Sequence, residues 1–129
     1  MTVKKMEHIG MLVEDIEKSI SFYCDVVGMT LRNKMLHTEP SITLAFMNFP
    51  EAPETEIELI QGFKSNLPKE GVVHHVTFTV ENLEEEIARL KKLNIQFVDE
   101  NITTLPNGAR YVFFYGPDGE WVEFFEPAR

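Results

Sequence analysis

Apolar and polar residues recur at two different periods along this chain. From Lys5 to Val13 the period is two, with Ile9, Met11 and Val13 on one side and His8, Gly10 and Leu12 on the other, which predicts a strand. Asp15 then stands at an N-cap position. Ile16, Ile20, Tyr23 and Val27 follow at helical spacing, and Gly28 is a natural stop. Met29–Met35 and Ser41–Phe49 read as strands joined through a His37–Pro40 turn. Pro50–Thr55 reads as a loop, Glu56–Ile60 as a short strand, and the polar stretch Gly62–Gly71 as a linker.

The same order then returns. Val72–Val80 is a predicted strand, and Asn82 with Glu85 three residues later forms a capping-box pattern. Leu83, Ile87, Leu90 and Leu93 supply an apolar helical face, with Lys91 and Lys92 at the C-terminal end. Gln96–Asp99, Arg110–Tyr115 and Glu120–Glu126 are predicted strands, separated by the turn signals Asn107-Gly108 and Pro117-Asp118-Gly119. Each half is thus βαβββ. The expected class is α+β: a single domain of two tandem modules, about 1–66 and 67–129, forming curved mixed sheets with a concave face.

The halves also repeat in chemistry, and an internal repeat dictates architecture. His8-Ile-Gly-Met-Leu-Val-Glu-Asp-Ile opens the first half and His75-Val-Thr-Phe-Thr-Val-Glu-Asn-Leu the second. Glu58 follows His8 by 50 positions, and Glu123 follows His75 by 48. Strand alternation places Glu58 opposite Ile57 and Leu59, and Glu123 opposite Val122 and Phe124. His8 and His75 take the polar sides of their own strands, so all four can occupy concave sheet faces. Two imidazoles and two carboxylates make a mixed nitrogen and oxygen site suited to Ni, Co, Fe, Mn or Zn, with room for water or substrate. The plainer alternative is four polar residues on solvated faces, against which the repeat argues. His74 should point to the opposite face from His75, and His37 should lie in a solvated turn.

Composition narrows the partners. A length of 129 residues suffices for one domain with a buried core, and no apolar run approaches the ~20 residues of a membrane helix. The first residues lack the pattern of a secretory signal. The lone cysteine, Cys24, cannot make an internal disulfide, which points to a reducing, cytoplasmic setting and a helix residue packed against a sheet. A net charge of −9 excludes nucleic acid as a partner, because phosphate contacts need a surplus of Lys and Arg.

Taken together, the motifs resemble those of the vicinal oxygen chelate superfamily, the glyoxalase I-like proteins with the glyoxalase/bleomycin-resistance fold. The resemblance rests on the His8 segment with Phe22-Tyr23 and Val27-Gly28-Met29, on Glu56-Ile57-Glu58-Leu59, on His75-Val76-Thr77-Phe78, and on Pro117-Asp118-Gly119-Glu120-Trp121-Val122-Glu123. It implies that His8, Glu58, His75 and Glu123 ligate a divalent metal such as Ni, Zn, Co or Mn. It also implies an enzyme in which the metal holds vicinal oxygens of a small substrate while a carboxylate moves a proton through an enediolate. Glu123 is the expected main base and Glu58 its partner. A homodimer is implied too, in which first-half ligands of one subunit meet second-half ligands of the other.

The reaction implied is that of a glyoxalase I-like lyase or isomerase (lactoylglutathione lyase-type) on a small α-oxo thiol adduct. Glyoxalase I commonly has Arg and Asn four residues after its first and second ligands, where they contact glutathione. Here Leu12 and Gly62 stand there and cannot anchor charged ends. Gly71-Val72-Val73-His74-His75-Val76 and the loop residue Glu39 resemble methylmalonyl-CoA epimerase instead. A CoA substrate would call on Arg32, Lys34, Lys64 or Arg110 for its phosphates, and the stretch from Glu58 to His75 is short for an epimerase. A third reading, a non-catalytic drug-binding module like the bleomycin-resistance proteins, conflicts with the intact ligand set. Fosfomycin-modifying enzymes and ring-cleaving dioxygenases lack an equivalent of Glu58.

Overall fold

Asp15 and Asn82 start the two helices in the same way. In the computed structural model, which describes residues 6–64 and 73–128, Asp15 is extended and its Oδ1 accepts from the backbone N–H of Glu17 and Lys18. Helix α1 (Ile16–Phe22) follows. Asn82 Oδ1 accepts from Glu85 N–H at 3.1 Å ahead of α2 (Leu83–Lys92). Each cap satisfies donors that have no intrahelical partner and contributes about 1 kcal/mol.

The sheets supply a second acceptor to each helix. Gln61 Oε1 takes the Ile16 N–H at 2.7 Å, and Glu126 Oε2 takes the Leu83 N–H at 2.9 Å. Gln61 and Glu126 each lie three positions after a candidate ligand, Glu58 or Glu123. Three is odd, so if one residue faces a helix the other faces away.

The chain forms two compact units, Met1–Asn66 and Leu67–Arg129. The first holds strands β1 (His8–Val13), β2 (Thr30–Leu36), β3 (Thr43–Phe49) and β4 (Ala52–Gln61), in the order β1-β4-β3-β2. The second holds β5 (Val76–Thr79), β6 (Thr103–Thr104), β7 (Arg110–Tyr115) and β8 (Trp121–Glu126), in the order β5-β8-β7-β6. The first strand of each sheet runs parallel to the last and the other pairs are antiparallel, so both sheets are mixed. The class is α+β, as the alternation of periods predicted.

Each core lies on the helix side of its own sheet. Ala45, Met47, Ile57 and Leu59 are buried in the first unit with Ile16, Tyr23 and Val26 of the helical segment. In the second, Val112, Phe114, Val122 and Phe124 are buried with Leu83 and Leu90. Among the described residues no helix is long and apolar enough to cross a membrane.

Several expectations change. The first helix does not run as an α-helix to Gly28: Tyr23–Val27 widens into a π turn, closed by Gly28 at φ 89°. The wider turn lets Phe22, Tyr23 and Val26 all point inward, with Tyr23 fully buried and its hydroxyl donating to Met11 Sδ at 3.9 Å. Cys24 sits half-buried on this turn. Pro50–Thr55 is not a loop, because β4 begins at Ala52, opposite Phe49. The register shift between Met47 and Phe49 accommodates Pro53, and β1 pairs with β4 only from Glu56 onward, so no neighbour on that side needs a proline N–H.

In the second unit, Gln96–Asp99 makes only an isolated bridge, Phe97 to Phe114, and the edge strand is Thr103–Thr104. Leu93 caps the C-terminus of α2 and is exposed, because the helix ends before its face turns back to the sheet. The strand expected over Val72–Val80 spans only Val76–Thr79, so His75 precedes it; Val72 lies outside the described residues, as does most of the expected linker.

Candidate metal centre

In the first unit Gly10 of β1 lies opposite Glu58 of β4, and in the second Thr77 of β5 lies opposite Glu123 of β8. Each histidine comes two residues before the lateral partner of its glutamate. For His8, inside β1, that is one strand period, so imidazole and carboxylate reach the same side of the sheet, whereas His75 lies just before β5 and its approach to Glu123 is seen in the distance itself. His8 Nε2 stands 3.7 Å from Glu58 Oε1, and His75 Nε2 stands 3.5 Å from Glu123 Oε1. The repeat read from sequence is therefore a repeat of His–Glu pairs, one in each unit.

A phenylalanine completes each pair. Phe46 lies opposite Glu58 on β3, and Phe113 lies opposite Glu123 on β7. The His8 ring meets Phe46 edge-on at 6.3 Å, and His75 meets Phe113 at 5.0 Å. Sequence reading missed both rings. The signal was present in the hairpins, since counting back across the Pro50 and Pro117 turns from each glutamate reaches them. Tyr111 and Trp121 pack against Phe113 at 5.5 and 5.3 Å, giving the second unit a more aromatic floor.

The halves differ beside the carboxylates. Thr77 Oγ1 donates to Glu123 Oε1 at 2.7 Å. Gly10 offers Glu58 no side chain, and a Cβ built there would stand 3.5 Å from Glu58 Oε1. The first unit instead carries a second carboxylate, Glu56, on the Glu58 side of β4. Arg32 donates to both oxygens of Glu56, with Nη2 to Oε1 at 2.9 Å, and Asn48 Nδ2 donates at 3.2 Å.

A β-bulge between Leu31 and Asn33 removes Arg32 from the ladder and aims it across the sheet, its guanidinium 5.1 Å from the centre of the Phe46 ring. The Arg32 hydrogen bond holds the Glu56 carboxyl below the usual range; burial opposes this, and the Arg32 charge, Asn48 and nearby His8 reinforce it. The Arg32 guanidinium is raised by the same hydrogen bond.

His74 does not point away from His75. Because residues 73–75 are not in a strand, alternation does not govern them, and the Nδ1 atoms of His74 and His75 lie 2.8 Å apart. His74 packs edge-on against Trp121 at 5.0 Å. His37 is exposed in its turn and its Nδ1 accepts from Glu39 N–H at 3.0 Å. Glu39 is also exposed, with Oε1 accepting from Ser41 Oγ at 3.0 Å. Gly62 has φ 92°, and a Cβ there would fall 2.2 Å from Ser41 O, so backbone packing excludes any side chain at that position.

The basic candidates for a CoA phosphate are mostly committed. Arg32 holds Glu56, Lys34 pairs with Glu17, and Arg110 bridges Glu84 and Glu126. These hydrogen bonds to Glu84, then Glu126, raise the Arg110 guanidinium above its ordinary range.

The donor spacing fits a transition-metal ion. Two donors about 2.1 Å from one ion stand roughly 3.0 Å apart at a right angle and roughly 3.4 Å apart at the tetrahedral angle. The observed 3.5 and 3.7 Å lie near the second value and are too long for hydrogen bonds. Among the described residues no group of three or more His, Cys, Asp or Glu is arranged to hold a metal ion, so the donors come as pairs.

The chain is similar to known proteins. The family described as Glyoxalase/Bleomycin resistance protein/Dioxygenase superfamily matches residues 5–124. YwbC of Bacillus subtilis (strain 168), an uncharacterized protein, is 51% identical over 123 residues, covering 95% of this chain and 98% of its own. The mitochondrial methylmalonyl-CoA epimerase of Mus musculus is 27% identical over 122 residues, covering 88% of this chain and 67% of its own. The structure of the trypanothione-dependent glyoxalase I of Leishmania major superposes with a TM-score of 0.78 at 27% identity, covering 96% of this chain and 87% of that one.

Proposed function

We propose that this chain, which belongs to the glyoxalase/bleomycin resistance protein/dioxygenase superfamily, is a divalent-metal-dependent lyase or isomerase of the glyoxalase I type. One observation carries the reading: each unit sets a histidine Nε2 within 3.7 Å of a glutamate Oε1, with the histidine two residues before the strand residue that pairs with that glutamate. A pair supplies two donors, whereas Ni, Zn, Co and Mn take four or more. His8, Glu58, His75 and Glu123 are thus the proposed ligands of one ion, and the pairs combine in a homodimer of the glyoxalase I kind. When bound, a divalent cation stabilises negative charge developing on a substrate carbonyl oxygen, by several kcal/mol in rough terms.

The protein groups do the proton work. Glu123 is the main base: Thr77 orients its carboxylate through Oε1 and leaves Oε2 to take the proton from the carbon beside the carbonyl. Returning that proton to the neighbouring carbon completes an isomerisation. Glu58, with no side chain opposite it at Gly10, keeps the freedom to act as the second proton carrier. Phe46 and Phe113 give each pair an apolar wall on one side.

The substrate is a small α-oxo thiol adduct. Leu12 is exposed and Gly62 has no room for a side chain, so glutathione loses its usual anchors and another cytoplasmic thiol is the carrier. The similarity to a trypanothione-dependent enzyme supports variation in the thiol within this fold. An epimerase acting on an acyl-CoA is the second reading, favoured by similarity to the mouse epimerase and disfavoured by the commitment of Arg32, Lys34 and Arg110 to carboxylates.

The test is proton exchange followed by NMR in D2O with added Ni or Zn. Methylglyoxal–thiol adducts should lose the aldehyde-derived proton signal and yield a thioester. Exchange of methylmalonyl-CoA alone would establish the second reading. Silence on both, with metal bound, would overturn the lyase and isomerase assignments together.

A further inference from the structure

We infer that His74 is a positioning residue whose Nδ1 accepts a hydrogen bond from Nδ1–H of His75 and so keeps the lone pair of His75 on Nε2, the atom that faces Glu123. This rests on the reading of His75 as a metal ligand and adds a residue outside the four ligands.

The contact itself constrains where the ring protons sit. A neutral imidazole has one N–H donor and one acceptor nitrogen. With the two Nδ1 atoms 2.8 Å apart, one ring donates to the other, and the two rings hold opposite tautomers. The direction follows from what surrounds them. Glu123 Oε1 already accepts the Thr77 hydroxyl, and His75 Nε2 stands 3.5 Å away, beyond hydrogen-bond length. A proton on Nε2 would gain no short bond there and would block ligation. A proton on Nδ1 has an acceptor at 2.8 Å.

The repeat places a polar neighbour beside each histidine. The residue preceding the ligand histidine faces its Nδ1 in both units. In the first unit it is Glu7, with Oε1 3.7 Å from His8 Nδ1. That separation is beyond hydrogen-bond length. His74 holds the corresponding place in the second unit and comes within hydrogen-bond distance, at 2.8 Å, of His75 Nδ1. The His74 ring is held for this by edge contacts with Trp121 at 5.0 Å and Phe113 at 6.1 Å. Outer partners of this kind set ligand tautomer and raise metal affinity.

The experiment uses full-length protein and reads two quantities. The first is the His75 tautomer, from long-range proton–nitrogen correlation in metal-free protein at about pH 8.5, where an ordinary imidazole is neutral. The second is the zinc dissociation constant by competition titration.

Wild type should show His75 with Nδ1 protonated and Nε2 bare. His74→Phe keeps a ring against Trp121 but cannot accept, so the proton should shift toward Nε2 and zinc binding should weaken roughly tenfold to hundredfold. His74→Gln, whose amide oxygen accepts, should restore much of both. A wild-type His75 protonated on Nε2, or unchanged tautomer and zinc affinity in His74→Phe, would overturn the proposal. Should His74→Phe fail to fold, the wild-type tautomer and His74→Gln still decide. A tautomer shift in a protein that binds no zinc would instead sink the metal assignment and leave the hydrogen bond standing.

Discussion

Thr77 donates its hydroxyl at 2.7 Å to Glu123 Oε1, the same oxygen that stands 3.5 Å from His75 Nε2. No equivalent bond reaches Glu58 from Gly10, which has no side chain to give. Identical registers thus carry carboxylates with different neighbours.

Thr77→Val should separate orientation from packing. Valine keeps the shape and the strand preference but cannot donate. Loss of a charge-assisted hydrogen bond is expected to cost about 1.5–3 kcal/mol at the carboxylate, a fall in kcat of roughly tenfold to hundredfold with KM little changed. An unchanged kcat for proton exchange would remove Thr77 from the mechanism.

Metal binding should depend on both units. We expect about one divalent ion bound per His–Glu quartet, lost in either His8→Ala or His75→Ala. Both imidazoles are about one-third exposed, so thermal stability of the metal-free proteins should change by less than about 1 kcal/mol. Elemental analysis after dialysis reads occupancy; full occupancy in either variant would refute that histidine as a ligand.

Acid should loosen the first unit through Glu56. Its carboxyl lies below the ordinary value of 4.5 when folded, chiefly through the Arg32 hydrogen bond, so the unfolded chain binds the proton more readily. The contribution to stability is complete above about pH 4.5 and is lost as pH falls through the lowered folded value. Urea midpoints of wild type and Glu56→Gln should differ at pH 7 and converge as pH falls through the lowered folded value. A gap that stays constant with pH would show that Glu56 stabilises by shape alone.

Gly62→Ala should be among the costlier single substitutions outside the core. A side chain at φ 92° is strained, and its Cβ would meet Ser41 O at 2.2 Å, where backbone must move. The strain alone is of order 1–3 kcal/mol, visible as a drop in thermal midpoint of several degrees. A midpoint within one degree of wild type, a roughly negligible change, would mean the Ser41 turn yields freely.

Most of the architecture was legible because two periods and two cap residues recur in the same order. Asp15 and Asn82 cap as read, and the strand Arg110–Tyr115 has the expected ends. The misses share a cause: pairing decides what propensity cannot. Pro53 looked like a loop signal, yet it lies in a bulged stretch where β4 has no β1 neighbour. Gln96–Asp99 looked like a strand, but only Phe97 bridges across to Phe114.

At the candidate site, the sequence repeat pointed to the His8–Glu58 and His75–Glu123 pairs. The flanking Phe46 and Phe113 needed the cross-strand register, which no single-strand pattern contains; alternation set Thr77 on the His75 face, and the register adds its bond to Glu123. His74 was misplaced because alternation was applied to residues that lie outside a strand.

The π turn at Tyr23–Val27 bears on how this chain can change its length. A π turn carries one residue more than an α turn over the same arc. Asp25 is exposed within it, between the buried anchors Tyr23 and Val26. Deleting Asp25 would let the segment close as ordinary α-helix, with α1 and its Asp15 cap untouched. Relatives one residue shorter at this point are therefore compatible with the same sheet, and the turn acts as a slack link that absorbs single-residue insertions and deletions.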